Sequence, residues 1–274
     1  MSTQPYRILL TNDDGIDSPG LLAAAETLSA LGEVTVVAPR HQQTSSGRSF
    51  SRDADGMIEE RRLMVNGHTI LGYAVGATPA QVVVHALQEV LPEKPHLAVS
   101  GINFGENAGN CITISGTLGA AFELASAGIP CLAASLQLPA ETANYYDHDQ
   151  DINFSTAAHF TAFFGGYLLE QGMPPNTDIL KVEVPFRATP ATDWRVTRLS
   201  RLRGYEVQVE RHGGWDTPAR TDGAPMRLHP GQAEPDSDLQ ALRMEGLVAV
   251  TPLTIDMTAR IELAWLEQSM RQAT

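Results

Sequence analysis

Ile8-Leu9-Leu10-Thr11-Asn12-Asp13-Asp14-Gly15 is the stretch that decides the fold, because a short apolar run passes directly into two adjacent carboxylates and a glycine. The apolar run is continuous rather than alternating, which is typical of a strand covered on both faces. The glycine begins a turn, and a helix is predicted to follow over 20–31. The two carboxylates are therefore expected at the carboxyl end of a parallel strand, where open α/β sheets bind their ligands.

Asp13 and Asp14 allow two interpretations. Two carboxylates held close together repel each other unless a cation, a proton or an arginine compensates their charge, so the pair predicts a metal site. The alternative is an N-capping turn that leads into the helix and binds nothing. The residues of this one segment leave both interpretations open.

Mainly apolar segments alternate with segments of helical period, which is the pattern of a parallel sheet built from βαβ units. Strands are predicted at 7–11, 33–38, 96–100 and 130–135, and helices at 20–31, 79–90 and 152–171. The sequence therefore predicts an α/β fold, with a mostly parallel, doubly wound sheet and helices on both faces. Residues 1–136 form the ligand-binding core in this interpretation.

The second half, 137–274, continues that core with a different pattern and is expected to belong to the same structural unit. It begins with a polar stretch at 141–149, interpreted as a lid or as a surface excursion, in which Tyr145 and Tyr146 are candidates for stacking on a base. The other predicted elements are strands at 178–184, 194–199, 205–210 and 246–251, a Gly/Pro-rich excursion at 212–236, and a helix at 258–271. The apolar face of that helix is expected to pack on the protein's own core.

Composition excludes several functional classes. The 274 residues, 43% of them hydrophobic, suffice for a globular core, and a net charge of −13 argues against a nucleic-acid partner. The two cysteines, Cys111 and Cys131, lack the spacing of a zinc site or a disulfide framework, so a reducing, cytoplasmic location is expected. No segment has the roughly 18 consecutive apolar residues of a membrane span, so no membrane partner is expected.

Three further loops carry residues suited to a hard cation or a phosphate group. Residues 100–110 follow a predicted strand and contain Asn103 and Asn107, whose amide groups suit either ligand; the alternative is a set of ordinary turns. Ser115-Gly116-Thr117 begins an alanine-rich helix, whose free N–H groups can bind an anion; the alternative is a simple helix cap. The loop at 38–49 is rich in hydroxyl groups and basic side chains, which suit the same two ligands; the alternative is a mobile polar loop that binds nothing.

Oxygen ligands at several strand ends, without a cysteine cluster or an HExxH motif, favour Mg²⁺, Mn²⁺ or Ca²⁺ over structural zinc. Phosphoryl transfer is the natural use of such a site. The predicted strand at 7–11 ends in Asn12-Asp13-Asp14 rather than in the Asp-x-Asp of aspartyl-phosphate phosphatases, and the chain lacks the GxSxG of serine hydrolases. Both observations favour attack by a water molecule that the metal activates.

Taken together, the chain resembles the SurE family of metal-dependent 5′/3′-nucleotidases (survival protein E, acid-phosphatase-like). The matching segments occur in the family's order over nearly the whole chain. They are Leu9–Gly15, Ser18–Gly20, Val37–Pro39, Thr78–Ala80, Val99–Asn103 with Gly105 and Asn107, Ser115–Thr117, Val184-Pro185, Arg195–Arg198, Ser237-Asp238 and Gly246–Leu253.

The resemblance implies a Rossmann-like core with a smaller C-terminal β-rich region, about 185–245, that mediates assembly into a homodimer or homotetramer. It implies one divalent metal ion per subunit, Mg²⁺ or Mn²⁺ with Ca²⁺ also able to occupy the site. The implied metal ligands are Asp13, Asp14, Thr44 and Asn103, and the implied phosphate contacts are Asn12, Asn107, Ser115, Gly116 and Thr117.

Asp13 and Asp14 are also the implied catalytic residues, although ligand and general base cannot be separated by sequence. Thr44 stands where the family usually has a serine, and Ser45 or Ser46 is the alternative hydroxyl ligand. The implied reaction converts nucleoside 5′- or 3′-monophosphates into nucleoside and phosphate. The alternatives are a non-catalytic nucleotide-binding module, a phosphatase acting on a non-nucleotide or short polyphosphate substrate, and, last, an assembly protein.

Overall fold

The continuous apolar run at the start of the chain is an interior strand. A computed structural model describes residues 5–139 and 151–273. Its strands are β1 (Tyr6–Thr11), β2 (Gly32–Pro39), β3 (Ile58–Val65), β4 (His68–Val75), β5 (Leu97–Phe104), β6 (Cys131–Leu136), β7 (Ile179–Val184), β8 (Trp194–Val196), β9 (Tyr205–Arg211), β10 (Ala219–Pro225) and β11 (Val248–Leu253). Its α-helices are α1 (Pro19–Leu28), α2 (Pro79–His85), α3 (Gly116–Ser126), α4 (Ser155–Gln171) and α5 (Leu263–Gln272).

Nine of these strands form one sheet in the order β3-β4-β2-β1-β5-β6-β7-β11-β8. The pairs β3–β4 and β7–β11 are antiparallel, whereas the other neighbours in this sheet run parallel. The mostly parallel α/β sheet predicted from the sequence is therefore confirmed. A separate antiparallel hairpin, β9–β10, projects from the second half of the chain.

Apolar side chains of β1 point alternately to two layers of helices. Ile8 and Leu10 share a core with α1 and α4, whereas Leu9 belongs to the core formed with α2 and α3. Both faces of the strand are therefore covered, as the unbroken apolar run requires. Within the described residues, no helix is long and apolar enough to cross a membrane.

Three features differ from the sequence interpretation. The β3–β4 hairpin was not predicted. The excursion at 212–236 contains strand β10, which pairs with β9 along its whole length. Helix α5 has no buried residue, so the prediction that its apolar face packs on the protein's own core is wrong. The stretch 141–149, with Tyr145 and Tyr146, lies outside the described residues.

Candidate active site

The carboxyl ends of β1 and β5 lie side by side, with Thr11 opposite Ser100 in the parallel register. This pairing brings Asp13 and Asp14, which follow β1, next to Asn103 near the end of β5. The shared edge is the one that sequence reasoning expected.

Asp13 is buried and accepts a hydrogen bond from Thr117 Oγ1 at 2.6 Å. Burial, and then the negative charge of Asp14, raise the pKa of Asp13 to about 7. A bound cation reverses both effects, because its positive charge favours the ionised carboxylate. The position therefore disfavours a bare carboxylate and suits one that binds a metal.

Asp14 joins two loops at the sheet edge. Its Oδ2 accepts a hydrogen bond from the backbone N–H of Phe104 at 2.8 Å, and its Oδ1 lies 3.5 Å from Gln42 Nε2. The carboxylate is thus held between the end of β5 and the loop that follows β2.

Asn12 lies in the same segment, but the hydrogen bonds described for it run inward. Its Nδ2 donates to the Gly15 carbonyl at 3.0 Å and to Ser18 Oγ at 2.8 Å, and its Oδ1 accepts from the Gly15 N–H at 3.2 Å. The side chain is fully buried. Asn12 therefore shapes the turn that presents the two aspartates.

Thr117 connects Asp13 to both asparagines. Its Oγ1 lies 3.0 Å from Asn103 Oδ1, and Asn107 Nδ2 donates to it at 3.3 Å. The same Nδ2 reaches Ser135 Oγ at 3.2 Å. The segment that contains Asn103 and Asn107, the asparagine loop, thus meets the start of α3 beside Asp13.

Helix α3 begins directly against the carboxylates. Ser115 is its N-cap and accepts a hydrogen bond from the N–H of Leu118 at 3.1 Å. A Cβ at Gly116 would lie 2.6 Å from Asp13 Oδ2 and 2.8 Å from Ser46 Oγ. Only glycine therefore allows the helix N-terminus, with its free N–H groups, to approach this closely.

The loop after β2 supplies the hydroxyl groups. Thr44 and Ser45 line the site cavity, whereas Ser46 Oγ is buried and has no hydrogen-bond partner among the described residues. The two arginines of this loop are paired elsewhere: Arg40 binds Asp55 at 2.7 Å, and Arg48 binds Glu123 at 2.8 Å. Their charge is largely compensated by these carboxylates, so the loop offers the site mainly hydroxyl groups.

A cavity of about 440 Å³ extends outward from these residues. Its polar end includes Asp13, Asn103, Asn107 and Ser115. Its outer wall is formed by less polar side chains from β5, the segment before α3 and the β9–β10 hairpin, namely Phe104, Cys111, Ile114, Tyr205 and Val207.

Comparison with known proteins identifies the family. The family model described as Survival protein SurE matches residues 8–206. The chain belongs to the SurE family. A relative from Thermococcus gammatolerans, named 5′-nucleotidase SurE, is 42% identical over 95% of this chain and 94% of its own length. A relative of the same name from Archaeoglobus fulgidus is 41% identical over 95% and 96%.

A solved SurE structure supports the same conclusion. The crystal structure of the SurE protein from Aquifex aeolicus superposes with a TM-score of 0.72 at 29% identity, covering 97% of this chain and 99% of that one. The family resemblance and the α/β fold inferred from the motifs are both confirmed.

Sequence reasoning missed a group of buried charged residues behind the asparagine loop of this SurE chain. Lys181 and Glu183 lie on the interior strand β7, and both are fully buried. Lys181 pairs with Asp238 at 2.9 Å and lies 3.5 Å from Glu183, while Glu106 pairs with Arg243 at 2.7 Å. The available signal was two charged residues inside the apolar run Ile179–Val184, a pattern that an interior strand seldom has.

Proposed function

We propose that this SurE-family chain is a metal-dependent phosphomonoesterase that converts nucleoside 5′- or 3′-monophosphates into nucleoside and phosphate. The observation that carries the proposal is the buried pair Asp13 and Asp14, set against the N-terminus of α3 at the polar end of the cavity. The close relatives named 5′-nucleotidase SurE support the 5′ activity.

The side chains at the site fit one divalent cation. Asp13, Asp14 and Asn103 offer hard oxygen atoms, which Mg²⁺ and Mn²⁺ prefer and which also suit Ca²⁺. The fourth ligand is a hydroxyl group from Thr44, Ser45 or Ser46, and the buried Ser46 Oγ without a described partner is consistent with such a role. When bound, the cation draws charge from a phosphate oxygen and acidifies a water molecule.

The chain's own groups bind and orient the phosphate. The free N–H groups at Gly116 and Thr117 point out of the start of α3 and suit the phosphate oxygens. Ser115 and Asn107 border the same space. Because these donors are fixed in place before substrate binds, they stabilise negative charge as it develops on the phosphoryl group. Asn12 contributes by holding the turn.

The outer wall of the cavity suits a nucleoside. A volume of about 440 Å³ lies within the usual range of small-molecule sites, and a largely apolar wall tolerates different bases. Tyr205 and Val207 place the β9–β10 hairpin against this part of the substrate.

Assembly and location are part of the proposal. The hairpin and α5 expose apolar side chains, including Val209, Trp215, Leu263 and Trp265, which suits contact with a second copy in a homodimer or homotetramer. Cys111 and Cys131 are unpaired, which suits a reducing cytoplasm.

The first experiment measures phosphate release from a panel of 5′- and 3′-nucleoside monophosphates, with and without Mg²⁺ or Mn²⁺. We expect metal-dependent release, and a loss of at least about 100-fold in Asp13→Asn, because a catalytic metal contributes several kcal/mol to the transition state. Asp17→Asn removes an exposed carboxylate of the same turn and serves as the control.

Near-normal turnover in a folded Asp13→Asn protein would exclude Asp13 as a ligand of a catalytic metal. Nucleotide binding by calorimetry without phosphate release, under any metal, would favour a non-catalytic binding module instead.

A further inference from the structure

The buried charged group on β7 holds one particular residue of the site. Lys181 Nζ donates to the backbone carbonyl of Asn107 at 3.0 Å, and Glu183 Oε2 accepts from the backbone N–H of Asn107 at 2.8 Å. Both main-chain polar groups of Asn107 are therefore bound by side chains of a single strand.

Lys181 is balanced by Asp238, and by Glu183 whenever that carboxyl group is ionised. Its Nζ lies 2.9 Å from Asp238 Oδ2 and 3.5 Å from Glu183 Oε1, and all three side chains are fully buried. Burial favours the neutral amine, but the charges of Asp238 and Glu183 outweigh it and raise the pKa of Lys181. The ammonium group therefore stays charged, which strengthens its bond to the Asn107 carbonyl.

Asp238 ties the same loop to the second half of the chain. Its Oδ2 accepts from the Gly109 N–H at 3.0 Å, and its Oδ1 accepts from the Ser200 N–H at 2.9 Å. The loop is thus held on both sides of Asn107, at Glu106 by Arg243 and at Gly109 by Asp238.

With the backbone of Asn107 fixed, its side-chain amide faces Thr117 and Ser135. These two hydrogen bonds are 3.3 and 3.2 Å long, at the weak end of the range, so a phosphate oxygen arriving at α3 can compete for the amide.

We propose that Glu183 and Lys181 are positioning residues that hold Asn107 for binding of the phosphate group. The inference rests on the proposed function. Stability alone does not account for these residues, because replacing a buried ion pair with apolar side chains is often neutral or stabilising.

The test compares two substitutions of Glu183 with a structural control. Glu183→Leu removes the acceptor for the Asn107 N–H while leaving the Lys181–Asp238 pair, and Glu183→Gln retains an acceptor oxygen. Thr251→Val removes the buried Thr197–Thr251 hydrogen bond of 2.9 Å, which belongs to the neighbouring strand β11. Glu183→Met, unbranched and without an oxygen, takes the place of Glu183→Leu if that protein does not fold.

We expect Glu183→Leu to lower kcat/KM by about 10–100-fold, the usual effect of losing a group that orients a site residue. The dissociation constant of inorganic phosphate should rise, and hydrogen exchange at the Asn107 amide should accelerate. Glu183→Gln should return all three values to within about 3-fold of wild type, and Thr251→Val should change none of them.

Equal behaviour of Glu183→Leu and Thr251→Val would overturn the positioning role. A wild-type protein that releases no phosphate would contradict the proposed function instead. In that case phosphate affinity and Asn107 exchange still decide the positioning role, since neither depends on turnover.

Discussion

At the scale of single residues, Gly116 sets how closely α3 approaches the carboxylates. A methyl group there would lie 2.7 Å from Asp13 Cβ, well inside van der Waals contact. We expect Gly116→Ala to keep the helix, since alanine favours helix formation, and to reduce kcat/KM for nucleotides by at least about 10-fold as the phosphate site is displaced. Steady-state kinetics together with circular dichroism check both parts.

Gly166 of α4 provides the matched control. It is also a helical glycine, but a Cβ there would meet its nearest atom, Leu31 Cδ2, at 3.7 Å. Gly166→Ala should leave activity unchanged and stabilise the protein by about 0.5–1 kcal/mol. Unchanged kinetics in Gly116→Ala would show that the close approach of α3 is not needed for activity.

Glu183 gives the stability of the protein a defined dependence on pH. Burial raises its pKa from an ordinary 4.5 to about 7, although Lys181 acts in the opposite direction. Between these values the folded protein holds a proton that the unfolded chain releases. The group's contribution to the free energy of unfolding is therefore present below pH 4.5 and lost as the pH rises to about 7.

The glutamine side chain of Glu183→Gln is neutral at every pH, so this variant does not lose stability when the carboxyl group would ionise. We expect the variant to gain stability relative to wild type as the pH rises from 4.5 to 7, with no further gain above 7. Urea unfolding of both proteins at several pH values measures the difference. The contributions of other titrating groups, such as Asp13, to the free energy of unfolding are nearly the same in both proteins and largely cancel in the difference. A difference that does not vary with pH would show that Glu183 titrates normally.

At the scale of elements, the β9–β10 hairpin is expected to bind the nucleoside rather than the phosphate. Val207 lines the cavity, whereas Val209, two residues further along the same strand, is not among its described lining residues. We expect Val207→Ser to raise KM for nucleotides by about 10-fold, since loss of an apolar contact costs roughly 1–3 kcal/mol. KM for methyl phosphate should not change.

Val209→Ser makes the same substitution outside the cavity and should leave both KM values unchanged. An equal rise in KM for methyl phosphate in Val207→Ser would mean that the hairpin acts on the phosphate end, contrary to this assignment.

Several of the strands that sequence could predict are buried on both faces, whereas the exposed strand β9 was predicted from its alternating Tyr205, Val207 and Val209. Strands β1, β2, β5 and β6 are apolar runs, and burial leaves such runs few alternatives. Strand β10, Ala-Arg-Thr-Asp-Gly-Ala-Pro, has residues that disfavour strands and forms through pairing with β9. Strand β3 is half charged and lies at the sheet edge. Their pairing partners, rather than their composition, determine these two strands.

The same distinction applies to the candidate site. Asp13, Asn103 and Thr117 each lie within a short motif at an element end, so local sequence indicated them. The contact between Lys181 and Asp238 spans 57 positions and depends on how the second half of the chain packs behind β7. No local pattern could pair those charges.

At the scale of the whole molecule, α5 exposes an apolar surface that the subunit itself does not cover. Leu263, Trp265 and Met270 are each at least 60% exposed, and the segment 255–273 is exposed almost throughout. The period of these residues correctly predicted a helix, but a period does not specify which surface covers its apolar face. In the proposed assembly, a second copy of the chain covers this apolar face of α5.

Replacing Leu263, Trp265 and Met270 together with serine should therefore reduce the oligomer to a smaller species, because the substitutions remove apolar area from the proposed interface. Sedimentation velocity measures the mass, and Gln268→Ala, an exposed polar position on the same helix, serves as the control. No residue of α5 is buried in the subunit, so the thermal stability of the subunit should change little. An unchanged mass in the triple variant would exclude α5 from the interface and leave the β9–β10 hairpin as the contact to test.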